Sequence, residues 1–275
     1  MRFRKEICCF LLLVVMVTGF SLAATTELHI VRYGSNGTTI LQETTVPYQW
    51  LEENLPVQGD GLTHYYHQGP VFLDHPDPAQ QALLRWNPGE DTNVREKDMG
   101  AVKGTDLRDI CELVGGMTPE DIVRVRAADG FMKEFAYRNV YAPPARQGPL
   151  VVTWYKADEG YVPGYRDGMR LVFFADTSTN PWGIHAFGAW DWHESAAEEY
   201  WYFYRQGDQQ YPTTTGLSVM QVAEIQILPA GPGPSDPGPS EGTTTAPTRS
   251  PLPVLLFPLS IAGGLAIMAR RRRSG

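Results

Sequence analysis

The sequence predicts a mixed α+β domain that is rich in strands and occupies residues 25–228. Two continuous apolar runs, GPLVVTWYK and GMRLVFFAD, predict strands that are buried on both faces. Alternating apolar residues in DIVRVRAADGF and in LSVMQVAEIQIL predict two more strands, the second of which closes the domain. Between them, TDLRDICELVGG has the spacing of a two-turn helix, with Thr105 as its expected N-cap and Gly115 and Gly116 as its end.

The first half of the domain is predicted to be a hairpin and a loop-rich segment, residues 25–100, packed on a main domain at 101–228. ELHIVRYGSNGTTILQETTV predicts the hairpin because apolar residues alternate on both sides of a Gly/Asn turn. PYQWLEENLP predicts a short helix, and residues 59–99, rich in Gly, Pro, His and Asp, predict a loop-like stretch. Asn36 begins the sequon Asn-Gly-Thr in the hairpin turn, which predicts an exposed glycosylation site.

Both ends of the chain indicate export to the cell surface. Residues 1–24 combine a basic start, an apolar run and a small-residue cleavage region, as a secretory signal peptide does. Residues 229–251, rich in Pro, Gly and Thr, predict an extended stalk. Residues 252–275 join an apolar stretch to an arginine cluster and resemble the C-terminal sorting tails of prokaryotic, particularly archaeal, surface proteins. We therefore expect a secreted domain anchored to the outer face of the cell membrane, by a transmembrane segment or a processed tail.

Charge and cysteine content narrow the functional classes. The formal net charge is −8, which argues against nucleic acid as a partner, because that requires clustered Lys and Arg. Cys8 and Cys9 leave with the signal peptide, so Cys111 is the one cysteine of the mature chain. It shares a helical stripe with Leu107 and Ile110, which predicts a buried and unreactive thiol.

Five segments in this order resemble the molybdopterin-binding domain of the sulfite-oxidase-like oxidoreductases. They are VKGTDLRDICELVGG, VRVRAADGF, GPLVVTWYKADEG, GMRLVFFAD and VMQVAEIQIL, within residues 101–175 and 217–228. The resemblance implies the fold of that family, with molybdopterin as its cofactor. The family holds its metal through a cysteine thiolate placed before the helix, whereas Cys111 lies inside the helix. Residues 177–216 form an aromatic-rich insertion, so we expect a retained scaffold and a rebuilt pocket.

The insertion contains the strongest candidate for a binding site, the run WGIHAFGAWDWHE. Tryptophan rings stack on sugars or planar ligands, while histidine and acidic side chains orient them. The same aromatic residues also suit a packed cap over the sheet, and both interpretations stay open. An acid/base pair of Asp191 and Glu194 is a third and weaker interpretation, because no substrate groove pattern accompanies it. The ligand-binding candidates are Trp182, His185, Trp190, Asp191, Trp192 and His193.

Histidines suggest a second kind of site. His64 and His67 stand three apart in THYYHQGP, and with His193 they form a candidate set of nitrogen ligands for zinc, copper or iron. No recognised metal-site spacing is present, so hydrogen-bonded histidines in a pocket or at the surface are the alternative.

The sequence therefore predicts a cell-surface-anchored, extracytoplasmic binding protein on a molybdopterin-oxidoreductase-like scaffold, with a small molecule or a glycan as ligand. Two alternatives remain: an extracytoplasmic molybdopterin-type oxidoreductase with unusual cofactor ligation, and a structural protein of the cell envelope. Molybdopterin is implied by the resemblance alone, and a divalent metal is the other cofactor to consider.

Overall fold

The structure, a computed structural model, describes residues 24–73, 75–86, 93–177 and 183–229. The expected stalk and tail, the expected signal peptide up to residue 23, and Trp182 lie outside the described residues. Within the described ranges, no helix has the length and apolar composition needed to cross a bilayer.

Fourteen described strands alternate with short helices, which makes the fold mixed α+β and strand-rich. The helices are α1 Tyr48–Asn54, α2 Pro78–Arg85, α3 Leu107–Glu112, α4 Tyr137–Tyr141 and α5 Ala189–Ser195, with 3-10 turns at Val94–Glu96, Glu198–Tyr200 and Thr215–Leu217. The strands are β1 Glu27–Tyr33, β2 Ile40–Pro47, β3 Val57–Gln58, β4 His64–His67, β5 Asp98–Asp106, β6 Asp121–Ala127, β7 Met132–Ala136, β8 Leu150–Lys156, β9 Gly160–Tyr161, β10 Arg170–Phe173, β11 His185–Phe187, β12 Phe203–Gln206, β13 Gln209–Pro212 and β14 Val222–Pro229.

The first sheet joins the two ends of the described domain. Its five strands run in the order β2-β1-β14-β6-β7, with β1 parallel to β14 and the other pairs antiparallel. One face buries apolar residues such as Leu28 and Ile225. The other carries cross-strand ion pairs, including Arg126 with Glu224 at 3.1 Å. This division follows from the period-2 alternation of side chains along a strand.

The second sheet curls so that its two ends meet. Its main path is β10-β8-β5-β4-β11, with β3 paired to β5 and β9 to β8. Phe173 on β10 stacks on Phe187 of β11, the strand at the opposite end, with ring centroids 4.2 Å apart. The backbone N–H of Phe173 donates to His67 Nε2 on β4 at 3.2 Å. This contact satisfies a buried N–H group that would otherwise lie on an open sheet edge.

The larger of two described core clusters joins the two sheets, and the smaller one includes Val102 and Val172 of the second sheet. The larger cluster contains Leu28 and Ile225 from the first sheet, Val152 and Leu171 from the second, and residues of α3. Burial of these apolar side chains is the main favourable contribution to folding. The predicted helix is confirmed as α3, but Thr105 as its N-cap is wrong. Asp106 holds that position and accepts a hydrogen bond from the backbone N–H of Arg108 at 2.9 Å.

The predicted hairpin, first helix and four strands are confirmed as β1, β2, α1, β6, β8, β10 and β14. The loop-like prediction for residues 59–99 is wrong, because this stretch holds β4, α2 and the start of β5. Residues 25–100 therefore supply strands to both sheets. Insertion 177–216 supplies β11, which pairs in parallel with β4, as well as α5 and the β12–β13 hairpin.

Candidate functional site

Helix α5 positions the central residues of the insertion. It begins after Gly188, whose backbone N–H donates to Asp191 Oδ2 at 2.8 Å, and Asp191 is only 5 % exposed. Residues three apart on a helix lie on one face. Trp190 and His193 are therefore neighbours, while Trp192 projects from a different face of the same helix.

Trp192 belongs to the core. Its ring makes edge-to-face contacts with Phe135, Phe173 and Phe187 at centroid distances of 6.0, 5.8 and 5.9 Å. Its indole N–H donates to the carbonyl of Tyr200 at 2.9 Å. All four rings are essentially inaccessible to solvent. Trp192 therefore packs the interior and does not face a ligand site.

The other face of α5 builds an aromatic group at the surface. The His193 ring is nearly parallel to the rings of Trp190 and Trp201, with centroids 4.9 Å and 4.3 Å away. The ring of Trp86, which follows α2, is tilted against both His193 and Trp201 at 4.9 Å and 5.0 Å. We call these four residues the Trp–His cluster. Trp190, His193 and Trp201 belong to the insertion and Trp86 does not, and all four side chains are partly exposed.

Polar groups in and around this cluster favour ligands that are not anions. Glu194 Oε1 lies 3.0 Å from His193 Nδ1, and the two side chains are 43 % and 27 % exposed. Residues 189–201 contain four acidic side chains and no Lys or Arg. Among the described residues, the buried indole N–H of Trp201 has no hydrogen-bond partner. The surface is therefore aromatic and acidic, with one unused donor.

Two other ligand-binding candidates, His185 and Asp191, make contacts with other parts of the protein. His185 lies on β11, where its Nδ1 is 2.8 Å from the carbonyl oxygen of Ala175 and its ring contacts Tyr65. Asp191 caps α5 and lies 3.9 Å from Arg146 Nη1, so its carboxylate is held inside the protein. Because Asp191 is buried and Glu194 is exposed, they do not form a paired acid/base site at the surface.

The three histidines proposed as metal ligands lie in three different environments. His64 is half exposed and pairs with Asp98 at 2.8 Å. His67 is buried against Phe173 and Phe187, and burial together with the nearby Arg170 lowers its pKa to about 3. His193 lies in the Trp–His cluster. Within the described residues, no group of three or more His, Cys, Asp or Glu side chains is arranged to hold a metal ion.

The predicted burial of Cys111 is confirmed. The side chain is fully buried in the core, and burial raises the pKa of its thiol far above the ordinary value. A thiolate, which a metal of this kind requires, is strongly disfavoured there. The residues present therefore do not fit the thiolate-ligated cofactor that the resemblance implies.

Asn36 lies in the hairpin turn and is exposed. Its side-chain oxygen accepts hydrogen bonds from the backbone N–H groups of Thr38 and Thr39 at 3.1 and 2.9 Å. The accessible turn agrees with the requirement for an acceptor site, while glycosylation itself stays a prediction.

Two members of the cluster, Trp86 and Trp201, are absent from the site predicted from sequence. Trp201 was available as part of the aromatic run that follows α5. Trp86 lies in residues 59–99, which the sequence analysis predicts to be loop-like, although it directly follows the helix-forming sequence PAQQALLR. A second aromatic group, Phe72, Tyr204 and Tyr211, lies on the other face of the β12–β13 hairpin and is separate from the cluster.

The arrangement can bind by ring stacking and cation–π contact, and it offers few hydrogen-bonding groups. Comparison with protein-family models and with curated proteins finds no match to this chain.

Proposed function

We propose that this protein is a cell-surface-anchored, extracytoplasmic binding protein whose ligand, a small molecule or a glycan, binds at the Trp–His cluster. The observation that carries the proposal is the convergence of Trp86, Trp190 and Trp201 on one partly exposed histidine. Tryptophan rings usually lie in a core or at a binding surface, because their exposure to water is unfavourable. Trp201 packs against the core, whereas Trp86 and Trp190 meet His193 at the surface, and it is this outer part of the cluster that a binding role would explain.

For the scaffold, we propose a divergent form of the sulfite-oxidase-like fold. The support is the occurrence of α3, β6, β8, β10 and β14 in the order of the resembling segments. Because the Cys111 thiol is buried inside the core, the proposed function includes no redox step at molybdenum. Export and anchoring are proposed from the signal-like start and the sorting-like tail of the sequence.

A binding role is favoured over the other two functions considered. The oxidoreductase alternative needs a set of cofactor ligands, and the described residues supply none that matches the family. The structural-protein alternative needs only the fold and the anchor, so it gives no reason for partly exposed tryptophans around His193. A binding role accounts for them directly.

The proposal is tested by isothermal titration of the full chain, in a neutral detergent, with a panel of envelope oligosaccharides and small molecules. Trp190→Ala and Trp201→Ala should each weaken binding about two- to twelvefold, since one stacked aromatic contact contributes roughly 0.5–1.5 kcal/mol. Trp50→Ala is the matched control, because Trp50 is exposed on α1 and is not a member of the cluster. Equal weakening by Trp50→Ala, or no binding to any member of the panel, would contradict the proposal and favour a structural role.

A further inference from the structure

In the Trp–His cluster, three tryptophan rings form an aromatic cage, and the His193 imidazole lies inside it. Three tryptophan rings surround one point, at 4.3, 4.9 and 4.9 Å from the centroid of the His193 ring. The ring planes of Trp190 and Trp201 are inclined by only 9° and 24° to the imidazole plane, and the plane of Trp86 is inclined by 57°. The imidazole therefore occupies the space that the rings define.

The chemistry of this space favours a positive charge. A cation is attracted to the face of an aromatic ring when it lies within about 6 Å of the ring centroid, and tryptophan is the most effective ring. All three rings meet that distance at the position of His193. The Glu194 carboxylate lies 3.0 Å from His193 Nδ1, so an anionic group stands beside the same point.

Two carboxylates next to Trp201 in the sequence act in the same direction, although Lys133 lies over the ring of the neighbouring Tyr202. Glu198 and Glu199 are exposed in the 3-10 turn that leads into Trp201. The nearest basic residue in sequence to Trp86 is Arg85, whose guanidinium turns away and bonds Gln210 and Gln209 while covering the Tyr211 ring. Exposed carboxylates near the cage raise the local concentration of cations and repel anions.

We propose that the Trp–His cluster is a binding cage for small organic cations of the quaternary-ammonium type, and that His193 fills the cage when no ligand is bound. This inference rests on the proposed binding function and adds the charge class of the ligand. A neutral sugar requires an open ring face, whereas the imidazole is stacked against one face of Trp190 and one face of Trp201. A ligand that reaches the cage displaces His193 by a side-chain rotation at the surface of α5.

The test compares choline with 3,3-dimethylbutan-1-ol, which has the same shape and no charge. Both are titrated calorimetrically into the full chain and into the His193→Ala variant. We expect choline to bind His193→Ala at least about tenfold more tightly than it binds the unaltered protein, because no side chain has to be displaced. We expect the neutral analogue to bind His193→Ala at least about tenfold more weakly than choline, because it lacks the cation–π attraction.

Further variants in the His193→Ala background separate the parts of the cage. Trp201→Ala should weaken choline binding about tenfold, Glu194→Gln should weaken it severalfold, and Trp50→Ala should leave it unchanged. Thermal unfolding of each variant shows that the fold is intact, and His193→Asn serves as a second vacated cage should His193→Ala not fold. Glycerophosphocholine distinguishes two sources of the cation: tighter binding than choline indicates a lipid headgroup, and weaker binding indicates a free cation.

The inference is overturned if the vacated cage does not bind choline, or if it binds the neutral analogue equally well. Failure of the wider proposal gives a different result. If an oligosaccharide binds in a manner that depends on Trp201 while choline does not bind, only the charge class is wrong. If neither binds, the cluster is not a ligand site.

Discussion

Helix α5 separates two aromatic groups that use the same residue types for different purposes. The core group consists of Phe135, Phe173, Phe187 and Trp192, whose rings meet edge to face or stacked and are closed to solvent. The Trp–His cluster, on another face of the helix, consists of nearly parallel or tilted rings that remain partly exposed.

The two aromatic groups also differ in the hydrogen bonding of their indole N–H groups. In the core, Trp192 donates to the carbonyl of Tyr200, so its burial leaves no donor unsatisfied. In the cluster, the N–H of Trp201 is buried and has no partner among the described residues. A buried polar group without a partner costs free energy, and the described core also contains such groups, among them His67 Nδ1 and the Tyr165 hydroxyl.

The largest expected difference between the groups is in stability. Trp192→Ala should lower the free energy of unfolding by about 3–5 kcal/mol, because it removes a fully buried ring and leaves a cavity among three phenylalanines. Urea denaturation followed by circular dichroism measures this change. Trp192→Phe is the conservative control and should cost clearly less, since most of the ring volume is retained. A loss below about 1 kcal/mol for Trp192→Ala would show that Trp192 is not part of the core.

Much of the fold could be predicted from sequence because its central strands have unambiguous patterns. Strands β8 and β10 are continuous apolar runs, and they are buried on both faces as expected. Strand β5 was missed because its glycines resemble loop signals. In the structure Gly104 is required by close strand packing: a Cβ atom there would lie 2.4 Å from the backbone oxygen of Val152.

The residue types of the candidate site could be predicted from the sequence, but their spatial arrangement could not. The run WGIHAFGAWDWHE identified Trp190 and His193, yet it grouped them with Trp192, which faces inward. Separating these residues requires the helical phase of α5, and two glycines obscure that phase in the sequence. Trp86 comes from a distant element, so its approach to His193 depends on tertiary packing that local patterns do not encode.

The two aromatic groups also differ in their histidines. His67 contacts the core group and is fully buried, whereas His193 belongs to the Trp–His cluster and is partly exposed. Burial, reinforced by the nearby Arg170, lowers the pKa of His67 from 6.5 to about 3. The unfolded chain therefore binds a proton as the pH falls below about 6.5, while the folded protein does not until about pH 3. The stability contributed by neutral His67 is complete above pH 6.5 and is lost progressively as the pH falls towards 3.

This predicts a decrease of about 1.7 kcal/mol in the free energy of unfolding between pH 6.5 and pH 5, at up to about 1.4 kcal/mol per pH unit. Urea denaturation across this range measures it, and His67→Gln, which cannot titrate, should reduce the decrease. The range avoids interference from Glu159, whose pKa is lowered to about 2 by its contacts with Lys156 and Arg166 and which changes stability only in stronger acid. An identical pH dependence in His67→Gln would contradict the prediction.

The smallest expected effect on stability belongs to the cluster itself. Trp190→Ala should change the free energy of unfolding by less than about 1 kcal/mol, because the ring is partly exposed and removing it leaves a surface indentation that water can fill. Urea denaturation measures this change alongside Trp192→Ala, two residues away on the same helix. A loss comparable to that of Trp192→Ala would mean that the cluster is an extension of the core. A small loss of stability together with weakened ligand binding would show that the two faces of α5 divide folding from recognition.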